Sequence, residues 1–96
     1  MFKLQEAIID ELRENNNKIS PTFITNIVEK STVKYFQLTP MMRVCVITLP
    51  TGHEVLGKAQ VLGPKNDVEL IGNQIAYKKA IEEIWVLVGA IAKLHV

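Results

Sequence analysis

Ninety-six residues, 48% of them hydrophobic, are enough for one small domain over 1–96 and too few for two. Eleven basic against ten acidic side chains leave a net charge of +1, which argues against a nucleic-acid binder that relies on a basic surface. The single cysteine, Cys45, excludes an internal disulfide.

No apolar signal-peptide core follows the opening residues. The most apolar run, Ile84 to Ala92, is about half the length of a membrane span. The expectation is a soluble cytoplasmic protein. A domain of this size buries only about 60–65% of its unfolded surface, which favours self-association.

In chain order, Leu4, Ala7, Ile8 and Leu12 fall at helix spacing as far as Glu14. Asn15, Asn16 and Asn17 end that helix, because asparagine tolerates left-handed backbone. Ser20 followed by Pro21 is an N-cap and first-turn pair that starts a second helix, expected to stop near Ser31-Thr32. Residues 1–40 thus read as a helical N-terminal part.

Residues 41–62 read as an antiparallel β-hairpin. "RVCVITL", from Arg43 to Leu49, is rich in β-branched residues, and Pro50-Thr51-Gly52 is turn chemistry. "HEVLGKAQVL" then alternates Val55, Ala59 and Val61 against Glu54, Leu56, Lys58 and Gln60. Gly57 in mid-strand marks either a bulge or the close approach of another group.

A long helix is expected over 66–93, with Asn66 as N-cap and Glu69 three residues on. Ile71, Ile75, Ile81, Ile84, Val88 and Ile91 form its apolar stripe, widened by Trp85 and Leu87. Gly72, Ala76 and Ala80, one turn apart, would admit a close backbone neighbour. The expected class is α+β: N-terminal helices, a hairpin and a long C-terminal helix, in an oligomer.

No catalytic constellation emerges from the residues, so no enzyme, no metal site and no cofactor is expected. His53 and His95 have no partners at metal-ligand spacing. Cys45 lies inside an apolar strand, which disfavours a dyad with His53. The glycines match no nucleotide fingerprint. Glu82 and Glu83, being adjacent, point in different directions from a helix. Three groups remain for binding: the cations Arg43, Lys58 and Lys65; the cluster Tyr77, Lys78 and Lys79; and the backbone N–H groups near Asn66.

The second half of the chain, "RVCVITLPTGHEVLGKAQVLGPKN" followed by "IGNQIAYKKAIEEIWVLVG", resembles a widespread family of small tailed-phage proteins. That family runs from a strand "t-C-x-x-x-L" through a glycine turn and a strand "x-V-x-G-x-(S/A)". A proline loop with an asparagine follows. The closing helix reads "G-x-x-(I/L)-A-x-x-x-A-x-x-x-(I/L)-W-x-L-x-G". The matching residues are Cys45, Leu49, Gly52, Val55, Gly57, Pro64, Asn66, Gly72, Ile75, Ala76, Ala80, Ile84, Trp85, Leu87 and Gly89. Departures are His53 in place of an aromatic, Val61-Leu62-Gly63-Pro64 in place of "Cys-Val-Asp-Pro", and Val88-Gly89-Ala90 in place of "Glu-Gly-Tyr".

The family is similar to, and is identified as including, the first type of Thoeris anti-defence protein. The resemblance implies a non-catalytic sponge, a homo-oligomer built from dimers, that removes cyclic nucleotide-type immune signals such as cyclic ADP-ribose isomers in the infected host's cytoplasm. On that reading His53 stacks on a base or sugar, Arg43, Lys58 and Lys65 meet phosphates, and Asn66 reads a polar edge. Gly72, Ala76, Ala80 and Trp85 would line the seam between subunits, although the small-residue stripe fits a helix on its own hairpin equally. The other classes open to such a chain are a phage accessory protein that binds and inhibits a host protein, and a virion or replication factor.

Overall fold

The computed structural model describes residues 3–60 and 68–95. Its elements are α1 (Leu4–Glu14), α2 (Pro21–Glu29), β1 (Thr32–Thr39), β2 (Met42–Thr48), β3 (Glu54–Gln60) and α3 (Glu69–Lys93). The strands form one antiparallel sheet in the order β1-β2-β3. The class is α+β, with two N-terminal helices, a three-stranded sheet and a long C-terminal helix.

Leu4, Ile8 and Leu12 recur every fourth residue of α1 and are buried. They join the core that packs against α3, so the first helix belongs to its own chain's fold. Gln5 Nε2 reaches His95 Nε2 at 3.2 Å, which sets the start of α1 beside the end of α3. Asn16 and Asn17 take positive φ, 54° and 63°, and turn the chain out of α1.

The turn is fastened by Glu11. Its carboxylate accepts from the Ser20 backbone N–H at 2.9 Å, the Ser20 hydroxyl at 2.6 Å and Asn15 Nδ2 at 2.9 Å. Ser20 Oγ in turn accepts from the Phe23 N–H at 3.2 Å, and Pro21 opens α2. One serine hydroxyl thus caps a helix and closes the loop before it.

The N-terminal part is not wholly helical. Thr32–Thr39, "TVKYFQLT", is a strand that pairs with β2 and makes the expected two-stranded hairpin a three-stranded sheet. Its side chains are largely exposed on both faces, so it carries no clean alternation of apolar and polar. β2 gains a neighbour on each side, and adjacent Val44 and Cys45, on its opposite faces, are both buried. Between β2 and β3 the Leu49 N–H donates to the His53 carbonyl, and Gly52 takes φ +89°.

α3 lies across one face of the sheet, antiparallel to β3. Its buried residues are Gly72, Ala76, Ala80, Ile84, Val88 and Ala92, a strict four-residue repeat. This corrects the expected stripe in part: Ile84 and Val88 are buried as expected, whereas Ile71 and Ile75 are 54% and 46% exposed. The reason is Gly57. A β-carbon on Gly57 would collide with the Ala76 carbonyl oxygen and the Ala80 nitrogen, and would stand 2.8 Å from the Lys79 carbonyl carbon. The helix backbone rests on the sheet there, and only small side chains fit beneath it.

Gly57 is therefore a close approach and not a bulge, since the β2–β3 register runs unbroken from Met42–Gln60 to Thr48–Glu54. The helix also begins later than expected. Its N-cap is Val68, extended and with no side-chain cap, while Asn66 lies outside the described residues.

The radius of gyration is 15.3 Å, against about 12.5 Å for a compact domain of this length. α3 causes the elongation. Its 25 residues span about 37 Å, whereas a seven-residue strand spans about 23 Å. Among the described residues no helix is long and apolar enough to cross a membrane.

Candidate functional site

β3 is a terminal strand, and α3 runs beside its outer flank. Two clefts open there. His53, Glu54, Val55, Leu56, Glu83, Val86, Leu87 and Ala90 line one of about 520 Å³. Leu56, Gly57, Lys58, Lys79, Glu82 and Glu83 line the next, of about 360 Å³. They share Leu56 and Glu83, so they form one groove along β3. From His53 to Lys58 it extends about 17 Å.

The groove is polarised. At the His53 end the walls are Val55, Leu56, Val86, Leu87 and Ala90, so an imidazole stands beside an apolar shelf. At the other end Lys58 from the sheet and Lys79 from the helix come to the same cleft. Glu82 and Glu83 border that cleft too, although they are neighbours on the helix, because the groove wraps around its flank. The chemistry on offer is a flat, partly apolar surface, two ammonium donors and several carboxylate acceptors.

The structure therefore brings His53 and Lys58 to one groove, together with Lys79. Arg43 lies elsewhere. It sits on β2 opposite Ala59, on the helix side of the sheet, and its aliphatic stem passes against Gly72. Lys65 and Asn66 lie outside the described residues.

The seam of Gly72, Ala76 and Ala80 closes within the chain. Of the two neighbours expected for this stripe, a second copy or its own hairpin, it meets the hairpin, at Gly57 and Arg43, and of the four expected seam residues only Trp85 stays exposed. Tyr77 lines a separate cleft of about 320 Å³ between α2 and α3, with Ile24, Thr25, Val28, Glu29 and Ile81.

Cys45 is fully buried, and burial pushes its thiol above the ordinary value. It pairs with Gly57, while His53 pairs with Leu49, four residues along the strand and about 13 Å away. The two do not form a dyad. Among the described residues no three His, Cys, Asp or Glu side chains are placed to hold a metal ion.

Glu83, Val86 and Ala90, which complete the groove with Lys79, escaped the sequence reading. They fall at positions i, i+4, i+7 and i+11 counted from Lys79, which marks one helix face. Nothing in the sequence says that the flank of β3 lies across from it.

Fold and groove together define a small α+β protein with two N-terminal helices, a three-stranded antiparallel sheet and a long C-terminal helix that walls a groove along β3. Residues 19–96 match the family described as the phage protein (N4 Gp49/phage Sf6 gene 66) family, and the chain belongs to it. The match takes in α2, the sheet and α3 and leaves α1 outside. No curated protein and no solved structure matches the chain.

Proposed function

We propose that this phage-family protein is a non-catalytic sponge that binds a cyclic nucleotide-type immune signal in the β3–α3 groove. By holding the messenger it disarms the host defence that depends on it. The reading carries with it a homo-oligomer acting in the cytoplasm of the infected cell.

The observation that carries it is the meeting of His53, Lys58 and Lys79 along one groove with an apolar shelf at one end. The imidazole and the shelf suit the face of a base. The two ammonium groups suit a pyrophosphate or phosphodiester. Glu54, Glu82 and Glu83 can accept from ribose hydroxyls and exocyclic amines. The resemblance of residues 43–89 to the small tailed-phage family identified as including the first type of Thoeris anti-defence protein supports the same ligand class. Arg43 is kept from this groove by its place on the helix side of β2, so it does not share in phosphate binding there.

Isothermal titration against a panel of cyclic ADP-ribose isomers and cyclic dinucleotides tests this. One ligand bound with defined stoichiometry and released unchanged supports the reading; a panel with no heat at all removes it.

A second reading is that the protein binds and inhibits a host protein. The exposed Leu70, Ile71 and Ile75 on the first turns of α3 favour it, as an apolar surface that a partner would cover. Host-lysate capture lost on Ile71→Ser/Ile75→Ser, in a chain that binds no nucleotide, would select it.

A further inference from the structure

β1 is the other terminal strand of the sheet, and its outward side is an organised edge. The Leu49 N–H donates to His53, so Leu49, Ile47 and Cys45 bond toward β3. By antiparallel alternation Val44, Val46 and Thr48 bond toward β1, to Phe36, Lys34 and Thr32. Tyr35, between them, directs its N–H and C=O away from the sheet. Tyr35, Phe36 and Leu38 are 44%, 48% and 60% exposed. An edge with no strand on it among the described residues, and with such apolar side chains, is a template for another strand.

We propose that two copies of the chain associate through β1, pairing antiparallel about a two-fold axis at Tyr35. This names the surface for the self-association in the functional reading, and it holds whether or not the groove takes a nucleotide.

The occupant follows from the charge pattern of the strand. Lys34 is the sole charged residue of Thr32–Thr39. With the axis at Tyr35, Lys34 stands opposite Phe36 of the partner subunit, an ammonium beside an aromatic ring, and this happens twice. With the axis at Lys34, the two cations would oppose each other. With the axis at Phe36, the irregularity between Gln37 and Thr39 would fall inside the paired stretch. Val33 as the axis also avoids both but leaves Phe36 and Leu38 outside the pairing, so Tyr35 is the centre that avoids both and still covers these exposed apolar side chains.

The pairing gives a continuous six-stranded sheet with the strand order β3-β2-β1 repeated in reverse. Being two-fold, it closes, whereas β1 on β3 of another copy would propagate without end.

The test uses the full chain. Light scattering and native mass spectrometry should give a dimer at micromolar concentration. Tyr35→Pro removes the outward N–H and the aromatic ring but no hydrogen bond to β2, so it should yield a monomer with an unchanged circular dichroism spectrum. Because Cys45 lies opposite Tyr35, crosslinking is done in a Cys45→Ala background. There Tyr35→Cys should form an interchain disulfide roughly tenfold faster than Thr32→Cys, whose two copies would lie far apart. A monomeric wild type, a Tyr35→Pro dimer, or equal crosslinking rates would overturn the proposal; if Tyr35→Pro does not fold, the crosslinking pair decides. A crosslinked dimer that binds no nucleotide leaves this proposal standing and removes the ligand reading alone.

Discussion

Gly57 of β3 lies directly beneath the carbonyl of Ala76 in α3, backbone against backbone. That contact fixes the height of the helix above the sheet. It decides which helix residues are inside, and it sets the walls of the groove along β3.

Gly57→Ala is therefore expected to be severe. The atoms it meets belong to a helix backbone and cannot swing aside. The cost is put at about 3 kcal/mol, the upper part of the overpacking range. For a domain of this size that lowers Tm by at least ~10 °C. Thermal unfolding of the variant measures it, and an unchanged Tm would show that the helix does not sit on Gly57.

Gly89→Ala should do the opposite. A β-carbon there meets nothing within 4 Å, and the residue lies inside α3 with a helical neighbourhood. Alanine is expected to stabilise by about 0.5–1 kcal/mol. Urea unfolding reads the difference as a raised midpoint with an unchanged slope.

Glu11 gives a pH signature. The Ser20 hydroxyl and N–H, and Asn15, donate to its carboxylate and hold it below its ordinary value of 4.5. A group depressed in the folded state stabilises above its unfolded pKa, and that stability fades as pH falls through the folded one. Wild-type Tm should accordingly drop more steeply than that of Glu11→Gln on going downward from about pH 4.5. Parallel profiles would mean that the α1–α2 turn is not fastened by this carboxylate.

Cys45 should be silent to thiol reagents in the folded protein, because it is fully buried and its thiolate is disfavoured. Reaction with a chromogenic disulfide is expected only on unfolding. Rapid stoichiometric labelling in native buffer would place Cys45 outside the core.

Much of the fold was legible in local chemistry. Ser20-Pro21, the asparagine triplet and Gly52 each specify backbone by their own side chain or lack of one, and each acts as its residue type dictates. β1 was not legible, because Val33, Lys34, Tyr35 and Phe36 put apolar and polar side chains on both faces of an edge. The buried stripe of α3 was legible only in part: Gly72, Ala76 and Ala80 stood out as a close-contact seam and Ile84 and Val88 as core, but Ile71 and Ile75 were placed inside with them. Isoleucines outweigh alanines in any periodicity, yet the inside was chosen by the clearance over Gly57, a residue in another element.

For the site, Lys58 was read from the strand that carries it, and His53, on the turn before that strand, from the resemblance. Lys79 was noted only as part of a cationic cluster on the helix. Its partnership with Lys58 depends on how α3 is laid across the sheet, which no local pattern encodes. Arg43 looked equivalent to Lys58 in sequence. It differs because odd and even strand positions face opposite sides.

The most direct test of the account is amide chemical-shift mapping during titration with cyclic ADP-ribose isomers and cyclic dinucleotides. The groove reading expects saturable shifts concentrated at His53–Lys58 and Lys79–Ala90. Shifts confined to the α2–α3 cleft around Tyr77, or no shifts with any ligand, would contradict it.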